Sequence, residues 1–561
     1  MAGGTVPVPT PETEPFWAGT LAGELRVQRC GRCGRYYFYP RPFCRYCQSA
    51  DVTWQVVSGG GRLVSYVINY RPLPPADPAE PQVIALVELD EGPRMLTNLV
   101  GVPPEPAALP LDARVQAEFQ PRGDQALPVF RLTGTAPAGA PLPAAAPLPA
   151  EDSGPAPPAA PAASRGRRAG ASAGMHGGNV AIVGASETRD VGVLPDRSVI
   201  QLHAEAALAA LADAGLTAAD VDGVATAGPL PLEVSHHLGI TPRWLDGTMV
   251  GGCSFMLHVR HAAAAIAAGA ASVVLVTHGE SGRSRVGAPA YRASPASAQG
   301  QFEAPFGALA PYATFTVPAL RFLRDRGMSR RDLAEVVVAQ REWAAGNPRA
   351  FRRTLVTADQ VLAGVPIAFP FTRDMCCVVT DGGGALVLTS AERAADLPGA
   401  DRGSGRPAVY LLGSGEASEA PLMSQMDDPG SFGAFRRASA EAFATAGVGH
   451  ADIGHFMGYD AFAHLPLYML EDVGFVGRGE SGAFIAEGHT RKGGRLPMNT
   501  NGGGLSYTHT GMYGMFAIQE AVRQLRGQAA VPVPGVTISF VQGVGMYFGA
   551  AGSLVLSSRR P

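Results

Sequence analysis

Long apolar runs and an excess of basic residues are both missing from this 561-residue sequence. No stretch of about 18 apolar residues occurs, which argues against a membrane-spanning helix. The formal net charge of −3 disfavours a protein that binds nucleic acid or another polyanion, because such a binding domain is usually basic. The first residues show neither the basic segment nor the apolar core of a secretory signal, so a cytoplasmic location is expected.

Cysteine is also scarce, with seven residues, and none follows Cys377. In a chain expected to be cytoplasmic, these cysteines favour metal or site chemistry over disulfide bonds. Hydrophobic residues make up 46% and charged residues 17% of the chain, as is typical of globular domains. The length predicts two or three of them.

From about residue 136, large apolar residues almost disappear, and alanine, proline and glycine dominate. Such a segment cannot bury enough surface to offset its loss of conformational entropy. We interpret residues 136–176 as a linker between an N-terminal module at 15–135 and a C-terminal module in two parts, 177–395 and 405–561. An ordered proline-rich arm that packs on a neighbour is the alternative.

Two CxxC pairs, separated by ten residues, stand near the start of the N-terminal module. Each pair turns two thiolates toward one point, and four thiolates form a closed tetrahedral zinc site. Because four cysteines leave no open coordination position, the predicted zinc ion is structural and not catalytic. Its predicted ligands are Cys30, Cys33, Cys44 and Cys47. A set of free buried thiols is the alternative.

Alternating apolar and polar residues follow the cysteines and predict five or six strands. The segments are 54–57, 61–68, 83–89, 95–100, 115–119 and 128–132. This number of strands fits a small OB-type β-barrel. The text LRVQRCGRCGRYYFYPRPFCRYC resembles small acyl-CoA-associated proteins with a zinc ribbon and an OB fold, over about residues 15–135. That resemblance implies an association with thiolase-like enzymes. An OB barrel also permits binding of single-stranded nucleic acid, which the net charge disfavours.

Helical and strand patterns alternate in the C-terminal module, which predicts an α/β fold with layered sheets. A strand at 179–185 precedes a helix at 198–214, and a helix at 254–268 precedes a strand at 272–277. The pattern restarts near Pro407, so two similar halves are expected.

Five motifs of this module resemble the thiolase superfamily, in that family's order. They are GGCSFMLHVRHAAAAIAAGAASVVLVTHGES, DMCCVVTDGGGALVLTS, YDAFAHLPLYMLEDVGF, NTNGGGLSYTHTGMYG and FVQGVGMYFGAAGSLVL. The resemblance spans about residues 179–558 and is greatest to the lipid-transfer-type branch. It implies a thiolase fold of two βαβ-layered halves, preceded here by a rubredoxin-like zinc ribbon and a small OB-type barrel. It also implies a homodimer and a coenzyme A thioester as substrate.

The resemblance places the usual nucleophilic cysteine at Gly252, because the family spacing counted back from Ile266, Gly269 and Glu280 ends there each time. Cys253 is one residue late, and one residue is a rotation of about 100° on a helix. We therefore expect its thiol to face the core, and we keep Cys253 as a candidate nucleophile in second place. The second catalytic cysteine of the family is missing from the loop at 540–545.

Tyr459 and His509 are predicted to take the place of the family's two catalytic cysteines. His509 corresponds to the histidine of the family's Gly-His-Pro loop, and Tyr459 to its Asn or His box position. Tyrosine at that box resembles the thiolase-like aldolases of steroid side-chain breakdown, which cleave β-hydroxyacyl-CoA by a retro-aldol reaction. Tyr507, next to this loop, is a third candidate catalytic residue. Retro-aldol cleavage needs a base, donors for an enolate and an acid, but no covalent nucleophile.

Glycine loops and two arginines complete the predicted site. Glycine allows the backbone to approach a ligand closely, and the candidate oxyanion and substrate loops contain Gly252, Gly503, Gly504, Gly543 and Gly545. Arg283 and Arg285 are weaker candidates for binding the phosphates of coenzyme A, and a solvated loop or a dimer contact is the alternative.

A carbon–carbon lyase that acts on a bulky β-hydroxyacyl-CoA is the favoured function. An acyltransferase or thiolase that uses Cys253, and a non-catalytic acyl-CoA or lipid carrier, remain open. A hydratase is a candidate partner. The linker is long enough for the N-terminal module to dock on its own chain or on a second subunit.

Overall fold

The computed structural model of the chain describes residues 5–74, 76–77, 79–134, 174–287, 293–397 and 407–561. The predicted linker at 136–176 lies outside these ranges except for its last three residues. None of the helices in this part of the chain combines the length and the apolar character that crossing a bilayer requires.

The N-terminal module forms a zinc-ribbon sheet and a small β-barrel, as predicted. Its elements are α1 Glu14–Leu21, β1 Leu25–Cys30, β2 Tyr36–Tyr37, β3 Val52–Val57, β4 Gly60–Asn69, β5 Gln82–Leu89, β6 Arg94–Asn98, β7 Arg114–Arg122 and β8 Gln125–Gly134. The ribbon sheet has the order β2–β1–β3. In the barrel, β4 pairs with β5 and β7, β5 with β6, and β7 with β8, all antiparallel. The segment at 54–57, which the sequence groups with the barrel strands, lies in β3 and pairs with the ribbon strand β1.

The C-terminal module alternates helices and strands. Its strands are β9 Val180–Glu187, β10 Gly223–Thr226, β11 Trp244–Asp246, β12 Val273–Ser281, β13 Pro366–Phe369, β14 Phe371–Thr372, β15 Asp381–Ser390, β16 Val409–Ser418, β17 His455–Gly458, β18 Ile538–Gly545 and β19 Ala550–Ser557. Its helices are α2 Val199–Ala214, α3 Pro231–Leu238, α4 Ser254–Ala267, α5 Ala298–Phe302, α6 Pro311–Thr314, α7 Ala319–Asp325, α8 Arg330–Ala345, α9 Ala358–Leu362, α10 Ala391–Asp396, α11 Gly433–Ala446, α12 Leu465–Val473, α13 Ser481–Ala486, α14 Gly503–Ser506 and α15 Gly514–Arg526.

Nine strands of this module form one sheet with two similar halves. The order is β11–β10–β12–β15–β9–β16–β19–β18–β17. In the first half, β10 and β12 are parallel, and β12–β15 and β15–β9 are antiparallel. In the second half, β17 and β18 are parallel, and β18–β19 and β19–β16 are antiparallel. The expected internal repeat is therefore confirmed, with β9 and β16 joined at the centre.

Local sequence explains why α2 begins and ends as predicted. Ser198 accepts a hydrogen bond from the Gln201 backbone, and the Gln201 side chain bonds back to the Ser198 backbone, so two free N–H groups are satisfied. Gly215 ends the helix with a φ of 68°, a left-handed conformation that glycine adopts without a steric cost.

Helices cover both faces of the sheet. Along β15, Ala385 and Val387 belong to the apolar cluster formed with α2, whereas Leu386 and Leu388 belong to the cluster that contains α4 and α15. This alternation follows from the two-residue period of a strand. Most of α4 and nearly all of α15 are buried. A Cβ atom on Gly514 would lie 3.2 Å from Met256 Sδ, so the first turns of the two helices meet inside the protein.

The N-terminal module packs directly against the C-terminal module. Phe302 inserts into a cluster of aromatic rings and stacks on Trp17 with ring centroids 5.7 Å apart. The strand β13 extends the barrel sheet, because Ala368 pairs with Asn69 and Phe369 pairs with Ile68. The interface therefore combines buried aromatic surface with backbone hydrogen bonds, the two features of a stable contact.

Candidate active site

Gly252 lies directly against the ring of Tyr459. A Cβ atom on Gly252 would overlap ring carbons of Tyr459 and would lie 2.7 Å from its hydroxyl oxygen. Gly252 belongs to a short 3-10 turn, Gly251–Cys253, which leads into α4. The phenol thus fills the space that a side chain at Gly252 would occupy.

The Cys253 thiol packs against β18. A Cβ atom on Gly545 would lie 3.0 Å from Cys253 Sγ, so the sulfur packs against β18. The side chain has no solvent exposure, and burial raises the pKa of its thiol to about 12. A thiol that is buried and protonated in this way is a poor nucleophile.

Tyr459 and His509 form the polar pair of the site. The Tyr459 hydroxyl and His509 Nε2 share a hydrogen bond of 2.9 Å, and the two rings meet edge to face at 5.6 Å. Tyr459 follows β17 and donates its backbone N–H to the Gln542 carbonyl at 2.9 Å. The Thr380 hydroxyl accepts the His509 backbone N–H at 3.1 Å, and the Thr380 backbone N–H donates to the His509 carbonyl at 3.2 Å.

Burial keeps this pair neutral. Desolvation lowers the pKa of His509 to about 4 and raises the pKa of Tyr459 well above its usual value of 10. At neutral pH the pair is therefore a neutral phenol beside a neutral imidazole. Such a pair can pass a proton along its hydrogen bond without holding a charge beforehand.

Asp460 fixes the predicted glycine loop and was not found by sequence reasoning. Its carboxylate accepts the backbone N–H groups of Gly504 at 2.6 Å and Leu505 at 3.3 Å. A Cβ atom on Gly503 would collide with this carboxylate, and one on Gly504 would lie 3.2 Å from His509 Cδ2. These glycines therefore let α14 pack between Asp460 and His509. The sequence signal that could have identified Asp460 is its position directly after Tyr459.

Tyr507 lies in a different polar cluster from His509. Its hydroxyl donates to the buried Glu187 carboxylate, which also binds Arg523 at 2.8 Å and Arg349 at 3.3 Å. Burial, followed by the nearby Glu187 charge, raises the pKa of Tyr507. The structure thus brings together two of the three predicted catalytic side chains and directs the Tyr507 hydroxyl elsewhere.

The remaining predicted residues lie in two places. Gly543 and Gly545 let β18 approach Cys253, because a Cβ atom on Gly543 would lie 2.9 Å from Cys253 Cβ. Arg283 and Arg285 are exposed after β12, where the Asp381 carboxylate accepts the Arg283 backbone N–H at 2.8 Å. The residues at 288–292, which follow this loop, lie outside the described part of the chain.

Two further cysteines of this module, Cys376 and Cys377, lie in a partly accessible segment between a 3-10 turn and β15. Burial raises the pKa of Cys377 to about 12.

The four cysteines of the N-terminal module converge. Their sulfur atoms all lie within 4.8 Å of one another, with Cys30–Cys47 and Cys33–Cys44 distances of 3.6 Å. Zinc–sulfur bonds of about 2.3 Å in a tetrahedron place sulfur atoms about 3.8 Å apart. The observed cluster therefore fits a tetrahedral zinc ion.

Comparisons with known proteins agree with this architecture. Residues 17–53 match the ChsH2 rubredoxin-like zinc ribbon domain, residues 54–120 the ChsH2 C-terminal OB-fold domain, and residues 415–558 the thiolase C-terminal domain-like family. A 17-hydroxy-3-oxo-4-pregnene-20-carboxyl-CoA lyase of Mycobacterium tuberculosis is 36% identical over 382 residues, which cover 64% of this chain and 95% of that protein. The chain belongs to the thiolase-like aldolase family. It is homologous to these carbon–carbon lyases of the thiolase superfamily.

Other similar proteins support the same family. A steroid side-chain-cleaving aldolase of Thermomonospora curvata is 36% identical over 357 residues, which cover 60% of this chain and 88% of that protein. The solved structure titled "Ltp2-ChsH2(DUF35) aldolase" has a TM-score of 0.62 and 31% identity, and the match covers 69% of this chain and 99% of that chain. In the present chain, the thiolase-like module and the ribbon and barrel module are parts of one polypeptide.

Proposed function

We propose that this aldolase cleaves a bulky β-hydroxyacyl-CoA by a retro-aldol reaction, with Tyr459 and His509 as its proton-transfer pair. One observation carries the proposal: the Tyr459 phenol fills the space beside Gly252 and is hydrogen-bonded to His509 at 2.9 Å. Oxygen and imidazole groups thus occupy the place where the family's nucleophile is expected.

The reaction needs a proton acceptor for the β-hydroxyl group. As the substrate hydroxyl gives its proton to the Tyr459 oxygen, Tyr459 passes its own proton to neutral His509. The bond between the α- and β-carbons then breaks, the β-carbon becomes a ketone or aldehyde, and the electron pair forms the thioester enolate. A concerted transfer avoids a free phenolate, which would cost about 4 kcal/mol at pH 7 even for an unperturbed tyrosine.

The enolate oxygen needs hydrogen-bond donors. The first turns of α4 and α15 meet at the site, because a Cβ atom on Gly514 would overlap the Gly252 carbonyl oxygen. Helix N-termini carry partial positive charge and free N–H groups. We assign enolate stabilisation to these two helix starts, which include the predicted Gly252 loop.

The state of Cys253 supports cleavage over acyl transfer. An acetyl-CoA acetyltransferase of Methanothermobacter thermautotrophicus is also similar, at 30% identity over 391 residues, which cover 68% of this chain and 99% of that protein. Acyl transfer through an acyl-enzyme requires an accessible thiolate. A buried Cys253 thiol that packs on β18 does not meet this requirement.

We propose a steroid or lipid acyl group for the substrate, on the strength of the names of the two lyase relatives. Arg283 and Arg285 are the proposed contacts for coenzyme A phosphates, since both are exposed. A hydratase partner is proposed because the hydratase alpha subunit of Mycobacterium tuberculosis named for 3-oxo-4,17-pregnadiene-20-carboxyl-CoA is 39% identical over 103 residues, 18% of this chain and 32% of that protein. A cytoplasmic location is part of the same proposal.

A homodimer is proposed through the edge of the nine-stranded sheet. The edge strand β11 carries Leu245, and Leu230, Leu232 and Met249 lie near it in the chain, all at least 45% exposed. An exposed apolar surface beside an open strand edge is typical of an interface. The domain limits that go with this arrangement are 15–135, 177–395 and 405–561.

We also propose that the four-cysteine cluster binds one structural zinc ion. Purified protein should contain one zinc per chain, as measured by elemental analysis. The Cys44→Ser variant, which removes a fully buried ligand, should lose the metal and unfold the ribbon at a lower temperature. A wild-type protein that stays free of zinc after refolding with excess Zn²⁺ contradicts this assignment.

Product analysis tests the cleavage reaction. The protein is incubated with a panel of β-hydroxyacyl-CoA thioesters, with and without free coenzyme A, and the products are identified by mass. Release of a ketone or aldehyde together with a shorter acyl-CoA, without consumption of coenzyme A, is the expected result. Cleavage that depends on added coenzyme A would identify thiolysis instead.

A further inference from the structure

Glu280 places a carboxyl group beside the loop that carries His509. It is the next-to-last residue of β12, and a Cβ atom on Gly511 would lie 2.5 Å from both its Cδ and its Oε1 atoms. Gly511 follows His509 by two residues, so the carboxyl group touches the same loop that presents the imidazole. The Glu280 charge is also one of the causes, after burial, that raise the pKa of Tyr459.

The surroundings of Glu280 are those of a reactive group and not of a structural ion pair. Many protein atoms surround the residue, yet 34% of its side-chain surface is accessible. Among the described residues, its Oε2 atom is buried without a hydrogen-bond partner. Its potential ionic partner, His278 Nε2, is 3.9 Å away and stays neutral because burial holds the pKa of His278 well below its usual value.

Desolvation raises the pKa of Glu280 to about 8, against a hydrogen bond from the Met512 backbone that lowers it. The carboxyl group is therefore mostly protonated at neutral pH. A buried carboxylic acid of this kind stores one proton without needing a cation.

One proton transfer of the proposed retro-aldol reaction has no side chain assigned to it. Tyr459 and His509 take the β-hydroxyl proton, but the α-carbon of the resulting enolate must also gain a proton before the shorter acyl-CoA leaves. We propose that Glu280 is the acid that protonates this α-carbon. The enolate electron pair forms the new C–H bond and the Glu280 carboxylate remains. The proton held by His509 then returns to Glu280 by way of solvent and restores the acid. This inference rests on the proposed function.

Deuterium exchange at the α-carbon tests this role separately from cleavage. By microscopic reversibility, a Glu280 carboxylate should remove the α-proton of a short acyl-CoA product. With propanoyl-CoA as the probe, the wild-type protein should therefore exchange the α-protons in D₂O. Glu280→Gln keeps the size of the side chain but removes its acidity. We expect this variant to lose about 10²–10⁴-fold in both exchange rate and kcat for cleavage.

Glu303→Gln is the matched control. Glu303 is another buried carboxyl whose pKa burial raises, to about 7, but it lies against Ser424 at 3.0 Å, outside the pair of Tyr459 and His509. This control should keep both rates. Full exchange and full cleavage by a folded Glu280→Gln variant would overturn the assignment of Glu280 and leave the cleavage reaction itself intact. A wild-type protein that cleaves no β-hydroxyacyl-CoA would contradict the proposed function instead.

A wild-type measurement covers the case in which Glu280→Gln does not fold. Cleavage needs the acid form of Glu280, whereas exchange needs its carboxylate. As the pH rises through about 8, cleavage should therefore fall while exchange rises, with one shared apparent pKa. Exchange and cleavage that change in the same direction across this range would overturn the proposal.

Discussion

The two halves of the nine-stranded sheet have the same strand pattern but bring different chemistry to the place where they meet. In the first half, the turn before the buried helix α4 offers only glycine and a cysteine that faces β18. In the second half, the segment before the buried helix α15 offers the imidazole of His509. Tyr459, also from the second half, then fills the space left by Gly252.

This difference shows how one fold can change its reaction. A sulfur nucleophile needs a side chain at the first helix start, whereas a proton relay needs that position to be empty. Glycine at 252 is therefore the structural condition for the Tyr459 and His509 pair. In the proposed mechanism, the first half contributes backbone donors and the Glu280 acid, and the second half contributes the pair of Tyr459 and His509.

The largest expected effect comes from removing the Tyr459 hydroxyl. Tyr459→Phe should lower kcat by about 10³-fold, because general base catalysis is lost, while substrate binding changes little. The control is Tyr513→Phe, whose hydroxyl bonds to Asn501 at 2.8 Å instead of to His509. Steady-state kinetics on the cleaved substrate measure both variants. Equal losses of kcat in the two variants would show that the Tyr459 hydroxyl has no specific role in cleavage.

A side chain at position 252 tests whether the first half must leave this space to the Tyr459 ring. Gly252→Ala should lower kcat by about 10²-fold, because its Cβ atom displaces the Tyr459 ring, and overpacking should cost about 1–3 kcal/mol of stability. Gly449→Ala is a suitable control, since a Cβ atom there has its nearest neighbour at 3.8 Å. Kinetics and thermal unfolding should separate the two. Normal activity in Gly252→Ala would mean that the phenol position is not critical.

The pH profile should show one limb from each half. Neutral His509 accepts a proton, so kcat/KM should fall as the pH decreases through about 4. The acid form of Glu280 donates a proton, so the rate should fall about tenfold per pH unit above about 8. Cleavage rates from about pH 3 to 10 measure both limbs. A rate that stays constant up to pH 10 would contradict the alkaline limb.

The smallest effect is expected from the cysteine. Cys253→Ala should change kcat by less than about threefold, because the thiol touches no reacting group, although a small packing defect should lower stability. Activity and thermal unfolding of the variant are the measurements. A loss of more than about 10²-fold in kcat, in a folded protein, would indicate that Cys253 acts as a nucleophile.

Local signals made much of this fold predictable. The limits of α2 follow from Ser198 and Gly215, and the four cysteines are close in sequence, so their convergence needs no long-range information. The family register selected Tyr459 and His509 as candidates, and the structure joins them by a hydrogen bond of 2.9 Å.

Long-range packing decided the rest. Tyr507 binds Glu187, which is 320 residues earlier in the chain, and no local pattern reveals that contact. Glu280 appears in the sequence only as a spacing landmark, because its role depends on burial and on a loop far along the chain. Asp460 likewise becomes important only when α14 folds back onto it.

Intact-protein mass spectrometry during turnover tests the central claim most directly. The protein is mixed with a β-hydroxyacyl-CoA substrate, stopped with acid within one turnover, and analysed together with its small-molecule products. The retro-aldol mechanism predicts an unmodified protein, with one ketone or aldehyde and one shorter acyl-CoA formed for each substrate cleaved. An acyl group attached to Cys253 that forms and decays at the rate of turnover would contradict it.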